Sequence, residues 1–284
     1  MKSVDLDIVQ NIIVETAATE ILPRFRKLGE GDIEMKGVND PVTVADKGAE
    51  AALIARLTDY LPGSVVVGEE SFASDPDIVA HFSGDHDVWV IDPIDGTRNF
   101  VAGDPDFGTM VGLVRKKETV AAWIHGPVSG DTIMAERGGG VWLGENRMRL
   151  AAHENGAATV GLAGSRFRKF LKKPEYAGIA AKLPPLDAGA AAAFDYARLF
   201  TGERLFAGSA AARAGFIVYR ETKPWDHVPG LFLLEEGGGY AANLFGEPYD
   251  YGLSKKGLLI APDREKWEGI HGILAPLADL ITPE

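Results

Sequence analysis

"WVIDPIDGTRNFVAG", residues 89–103, drives an apolar run straight into two aspartates, Asp92 and Asp95, and then into Gly96 and Thr97. The β-branched and aromatic lead-in predicts a strand that ends in acid. Two carboxylates at one strand end repel each other and lose hydration unless something positive lies between them. Pro93 fixes φ and removes an N–H, so the turn between the acids is stiff. Gly96 permits close approach of backbone. If Gly96 and Thr97 open a helix, their amides form an anion site.

Outward from this stretch, other elements also end or begin on acid. "SVVVGEES" (64–71) reads as a short strand ending in Glu69 and Glu70. Upstream, Leu6, Val9, Ile13, Ala17 and Ile21 fall near helical spacing over residues 4–26, and "GEGDIEMKGVNDP" (29–41) reads as a turn-rich loop. A second helix opens near Thr43, carries Asp46 and closes at Leu61-Pro62-Gly63. Downstream, Gly108–Arg115, Thr119–His125 and Asp131–Glu136 read as strands, and "GENR" (144–147) as a tight turn before Met148–Leu150. A boundary near residue 152 divides a sheet-rich half, 1–152, from a second half, 153–284. There Thr159–Ala163, Phe216–Arg220 and "KGLLIAP" (256–262) read as strands. "GAAAAFDYARLFTGE" (189–203) reads as a helix stopped by Gly202, and "WDHVPGLFLLEEGGG" (225–239) as a helix with Asp226 in its first turn; 262–277 is a closing helix. Interleaved helices and strands in both halves predict a layered α/β or α+β fold.

Composition narrows the function. The chain has 284 residues, 46% hydrophobic and 25% charged, enough for a sizeable core. Its formal charge of −12 argues against nucleic-acid and anionic-membrane partners, which need basic surface. Cysteine is absent, so disulfides, thiolate metal sites and cysteine nucleophiles are excluded. The N-terminal segment carries acids among its apolar positions and reads as neither signal peptide nor membrane span. The expectation is a cytoplasmic protein.

Each acid has a plain reading alone: "DPxDG" as a turn, Asp226 as a helix cap, Asp46 as a helix-surface acid. Together, Asp46, Glu69, Glu70, Asp92, Asp95 and Asp226 hang on rigid element ends. Oxygen ligands without histidine or cysteine select Mg²⁺, Mn²⁺ or Ca²⁺ over zinc. A divalent cluster beside an anion-binding helix start points to phosphoryl chemistry.

"GEES" (68–71), "WVIDPIDGTRNFVAG" (89–103), "KPWDHVPG" (223–230) and "DPVTVAD" (40–46), in this order and spacing, resemble the inositol monophosphatase family of lithium-sensitive, Mg²⁺-dependent phosphatases. The resemblance is dense over about the first 150 residues, thinner from 160 to 220, and returns at Asp226. It implies an α-β-α-β-α sandwich of the sugar-phosphatase type, a homodimer, and two to three Mg²⁺ ions, with Mn²⁺ as substitute. It implies that Glu69, Asp92 and the carbonyl of Ile94 hold one ion, and that Asp92, Asp95 and Asp226 hold a second. Glu69 would reach a third, with Asp46 acting through water. Thr97 paired with Asp46 would orient and deprotonate the attacking water, the amides of Gly96 and Thr97 would bind phosphate, and Glu70 would support the site. The implied reaction is hydrolysis of a small sugar or polyol phosphate by metal-activated water.

The sequence departs from the family at Tyr219. Many members carry a glutamate there, seven residues before the "WD" aspartate, contacting inositol hydroxyls; Glu221 is two residues out of register. Tyr219 is a candidate substrate-binding residue, with a plain reading as a half-buried strand residue. The family's small-residue helix start aligns with the stretch at 189 or with "GSAAARAGF" (208–216); the first is favoured and implies an insertion around 204–214. Arg98 and Arg220 are candidates for a second anionic group on the substrate. Fructose-1,6-bisphosphate, a nucleotide bisphosphate and histidinol phosphate are the alternative substrates. A non-catalytic regulatory binding protein is the reading from a different class.

Overall fold

The computed structural model of the chain describes residues 4–150, 160–200, 214–252 and 256–281. Helix Leu6–Thr16 starts on Asp5, whose carboxylate accepts from the amides of Asp7 and Ile8, and runs on into a wider turn at Ala17–Ile21. Helix Val44–Tyr60 opens on a reciprocal cap between Thr43 and Asp46. Their apolar faces, Val9, Ile13, Leu53 and Leu57, bury against Trp89, Ile91 and Trp123 of a seven-stranded sheet. That sheet runs in the order 65–68, 88–95, 108–115, 118–125, 132–136, 140–143, 146–148. Its first pair, Val65–Gly68 with Val88–Asp95, is parallel, and every later pair is antiparallel.

The opposite face of the sheet packs on helices Ala192–Ala197 and Pro224–Glu236, through Met110, Ile124 and Ile133 against Phe194, Tyr196 and Phe232. The same two helices cover one face of a five-stranded sheet, ordered 186–188, 160–163, 214–219, 258–261, 240–242. Its other face carries helices Ser165–Leu171 and Arg264–Leu274. The layers are therefore helix, sheet, helix, sheet, helix. Strands 186–188, 160–163 and 214–219 run parallel, so their carboxyl ends open together at one edge. Clefts form there because loops leave parallel strands on that side. Among the described residues no helix is long and apolar enough to cross a membrane.

Some local expectations change. Residues 29–41 are not simply a loop: Ile33–Gly37 pairs antiparallel with Asp40–Thr43 in a hairpin turned at Asn39, φ 59°. Both faces of Ile33–Gly37 are largely exposed, which erases the alternation that would have marked it. Glu69 and Glu70 do not end a strand; the strand stops at Gly68 and they open the short helix Glu69–Ser74. The tight turn expected over 144–147 occupies only 144–145; strand Asn146–Met148 follows, and Leu150 bridges to Phe200. The helix expected over 189–203 spans Ala192–Ala197. Gly202, the boundary near 152, residues 208–213 of the stretch at 208 and nearly all of the expected insertion lie outside the described residues.

Candidate active site

Residues three apart in a regular strand point to opposite faces. Asp92 pairs with Met110 and Asp95 with Gly108, so three steps of one strand are matched by two of the other. Pro93, which has no N–H for the ladder, sits in this one-residue bulge. The bulge turns both carboxylates into one cleft of about 520 Å³. Thr109 Oγ1 fixes the bulge by donating to the Pro93 carbonyl at 2.8 Å. The chain then reverses at Gly96, φ 90°, into helix Thr97–Ala102. A Cβ on Gly96 would stand 2.9 Å from Ala191 Cβ, so glycine serves both the left-handed backbone and the close approach of the second half.

Other acids arrive on neighbouring element ends. Glu69 follows the strand parallel to Val88–Asp95, and Asp226 lies in the first turn of helix Pro224–Glu236. Ligand atoms of Glu69, Asp92 and Asp226 lie within 4.8 Å of one another. Asp95 Oδ2 accepts from Ala193 N at 2.6 Å. Ile94, Gly96, Thr97, Arg98, Tyr219 and Arg220 line the same cleft. Asp46 lies behind it, 2% exposed, with Oδ2 accepting from Thr43 N at 2.8 Å and Oδ1 from Thr97 Oγ1 at 3.1 Å. Thr97 Oγ1 also lies 3.0 Å from the Ile94 carbonyl. Asp46 is thus a buried residue, not a helix-surface acid.

The electrostatics are those of an acid cluster short of positive charge. Burial, then the charges of Glu69, Asp95 and Asp226, push the Asp92 carboxyl well above the usual range. Burial and Asp226 do the same to Asp95. Burial raises Asp226 to about 7 against the pull of Lys223. Burial raises Asp46 to about 6 against hydrogen bonds from Thr43 and Thr97. Glu69 behaves differently: burial opposes ionisation, yet Lys223 and Lys36 hold it below its ordinary value.

Several contributors are not singled out by the sequence reading. Lys36 Nζ reaches from the exposed hairpin to Glu69 Oε1 at 3.0 Å and Glu70 Oε1 at 2.8 Å, and Lys223 Nζ stands 3.4 Å from Glu69 Oε1. Glu50, one turn beyond Asp46, accepts from Glu70 N at 2.9 Å and Ser71 N at 2.6 Å, anchoring the turn that bears Glu69. Only its i, i+4 spacing from Asp46 could have suggested it. Asp195 and Ala193 come from the alanine-rich stretch at 189, which the structure brings to the cleft. Arg220 is engaged elsewhere: its guanidinium packs 5.3 Å from the Phe170 ring and Nε donates to the Ile281 carbonyl at 3.3 Å. Arg98 remains exposed at the cleft edge.

Asp92 Oδ1 is buried with no hydrogen-bond partner among the described residues. A buried carboxylate oxygen without a donor, ringed by other carboxylates, is costly unless a cation answers it. The donor set is all oxygen, which fits a hard divalent ion such as Mg²⁺.

The inositol monophosphatase family pattern matches residues 5–279. The chain is 28% identical to the inositol-1-monophosphatase of Rhizobium meliloti over 245 residues, covering 83% of this chain and 85% of that one. It is 31% identical to the Nus factor SuhB of Salmonella typhimurium over 216 residues, 76% of each. Inositol monophosphatase II of Staphylococcus aureus, in a structure with inositol monophosphate bound, superposes with a TM-score of 0.74 at 22% identity, covering 97% of this chain and 96% of that one. With its layered fold and a family match running almost end to end, the chain belongs to the inositol monophosphatase family, a family of phosphatases.

Proposed function

We propose that the chain is a Mg²⁺-dependent phosphomonoesterase acting on a small sugar or polyol phosphate. The orphaned Asp92 oxygen among Glu69, Asp95 and Asp226 carries this reading. Glu69, Asp92, Asp95, Asp226 and the Ile94 carbonyl would hold two to three Mg²⁺ ions, with Mn²⁺ as substitute. Bound there, the ions supply Lewis acidity, lowering the pKa of water and offsetting charge on the phosphoryl group and the leaving alkoxide. Thr97 Oγ1 orients the attacking water. Asp46, behind Thr97 and with its carboxyl raised to about 6, is placed to draw a proton through that hydroxyl near neutral pH. The amides of Gly96 and Thr97 receive the phosphate oxygens, and Arg98 at the cleft edge meets any second anionic group. The relative with inositol monophosphate bound supports a phosphorylated small molecule.

A panel of sugar, polyol, nucleotide and histidinol phosphates, assayed for phosphate release with Mg²⁺, with EDTA and with added Li⁺, tests the reading. Release that needs Mg²⁺ and falls with Li⁺ is expected, and the preferred substrate, fructose-1,6-bisphosphate included, is read from the same panel. A regulatory binding role is the second reading, favoured by the similarity to a protein named as a Nus factor; intact ion binding with no turnover on any substrate would support it. Assembly as a homodimer, implied by the family, is read by sedimentation.

A further inference from the structure

Tyr219 closes strand Ala214–Tyr219 and lines the cleft. Its hydroxyl is committed inside the protein, donating to Asp195 Oδ2 at 2.7 Å. The ring is held closely: a Cβ on Gly164 would stand 2.9 Å from Tyr219 Cδ1, and the His227 ring packs with its centroid 4.7 Å away. A swing of the hydroxyl toward the cleft would break both the hydrogen bond and this packing.

Asp195 transmits the constraint. It is 2% exposed within helix Ala192–Ala197, and its second oxygen accepts from Ala190 N at 3.1 Å. That bond fixes the segment 189–191 that leads into the helix and, with Ala192, forms one wall of the cleft. Directly beyond it, Ala193 N donates to Asp95 Oδ2 at 2.6 Å. A tyrosine hydroxyl, one carboxylate and one helix-entry segment therefore decide where the amide that orients Asp95 stands.

We infer that Tyr219 is a positioning residue for the ion-binding end of the cleft. Its hydroxyl sets Asp195, Asp195 sets the Ala190–Ala193 segment, and that segment aims the Asp95 carboxylate. The inference rests on the proposed metal site and deepens it: Tyr219 serves the acid cluster through Asp195.

Tyr219→Phe removes the hydroxyl alone. Mn²⁺ binding to the full chain, followed by electron paramagnetic resonance without substrate, should weaken about 3- to 10-fold, the size of one net hydrogen bond. The Mg²⁺ concentration giving half-maximal phosphate release should rise by the same factor, while KM at saturating Mg²⁺ stays within about twofold. Asp195→Asn should also weaken Mn²⁺ binding, and the double variant should add little to the stronger single change, as members of one chain of contacts do. Unchanged Mn²⁺ affinity overturns the inference, whether KM rises, marking a substrate contact, or only the melting temperature falls, marking packing. Asp95→Asn separates this from the parent reading. If that variant binds Mn²⁺ as the native chain does, or the native chain binds none, the metal site itself fails and the inference falls with it.

Discussion

The two halves of the chain furnish the cleft by different means. The first half delivers carboxylates from rigid ends: a bulged strand for Asp92 and Asp95, an anchored turn for Glu69, and a capped helix for Asp46. The second half supplies one acid of the cluster, Asp226, with Lys223 beside Glu69, and otherwise backbone amides, small side chains, an internal tyrosine–aspartate pair and the exposed Arg166–Glu221 pair. Charge is therefore fixed mainly by the first half and shape by the second. Substitutions of the first half's acids should abolish chemistry, whereas those in the second half, the ion ligand Asp226 apart, should retune binding.

The largest effect expected is from Asp95→Asn, which removes one of the carboxylates that line the cleft. Phosphate release should fall by at least about 10³-fold, the loss of several kcal/mol of charge stabilisation. The melting temperature of the metal-free protein should hold or rise, because one of several mutually repelling carboxylates has gone. A variant that lost activity only by unfolding would break the contrast between the halves.

Thr97→Ala comes next. It should lower kcat by about 10²-fold, the lower end of what a positioned proton-transfer group contributes, with Thr97→Ser within a few-fold of the native rate. Stability as a function of pH sharpens the same point without any assay of turnover. Asp92 and Asp95 are held well above the usual carboxylate range, Asp226 at about 7 and Asp46 at about 6. The folded chain then binds more protons than the unfolded chain between about pH 4 and 7, so stability falls as pH rises through that window. Urea unfolding of EDTA-treated protein should show a loss of roughly 2 kcal/mol or more from pH 5 to pH 8, and Mg²⁺ should restore most of it at pH 8. A flat profile would mean that the acids do not strain the metal-free fold.

The smallest effect belongs to the second half. Arg166, exposed at the cleft and paired with Glu221, should change KM by no more than a few-fold when replaced by alanine, with kcat unchanged. A large loss of kcat in Arg166→Ala would move chemistry into the half assigned to shape.

The same contrast governs what the sequence reveals. Asp92, Pro93, Asp95 and Gly96 are legible because their chemistry is local: a proline, a glycine and paired acids within five positions admit few structures. The layered fold follows from interleaved periodicities, each carried by a single element. The rest depends on contacts between distant segments. Lys36 sits on an exposed hairpin with no apolar face to announce it, yet reaches Glu69 across 33 positions. Glu50 looks like one more helical acid until it meets the amides of Glu70 and Ser71. Tyr219 reads as a strand residue, and only the folded chain places its hydroxyl on Asp195. Arg220 was an equal candidate with Arg98 until the structure stacked it on Phe170.

If the buried acids hold divalent ions that drive phosphoester hydrolysis, turnover must follow ion occupancy. The most direct test is phosphate release from a sugar phosphate by the EDTA-stripped chain during titration with Mg²⁺, run beside Asp95→Asn. The account predicts no release before addition, saturable recovery in the native chain, and none in Asp95→Asn although it folds. Release that persists in EDTA, or recovers equally in Asp95→Asn, would contradict it.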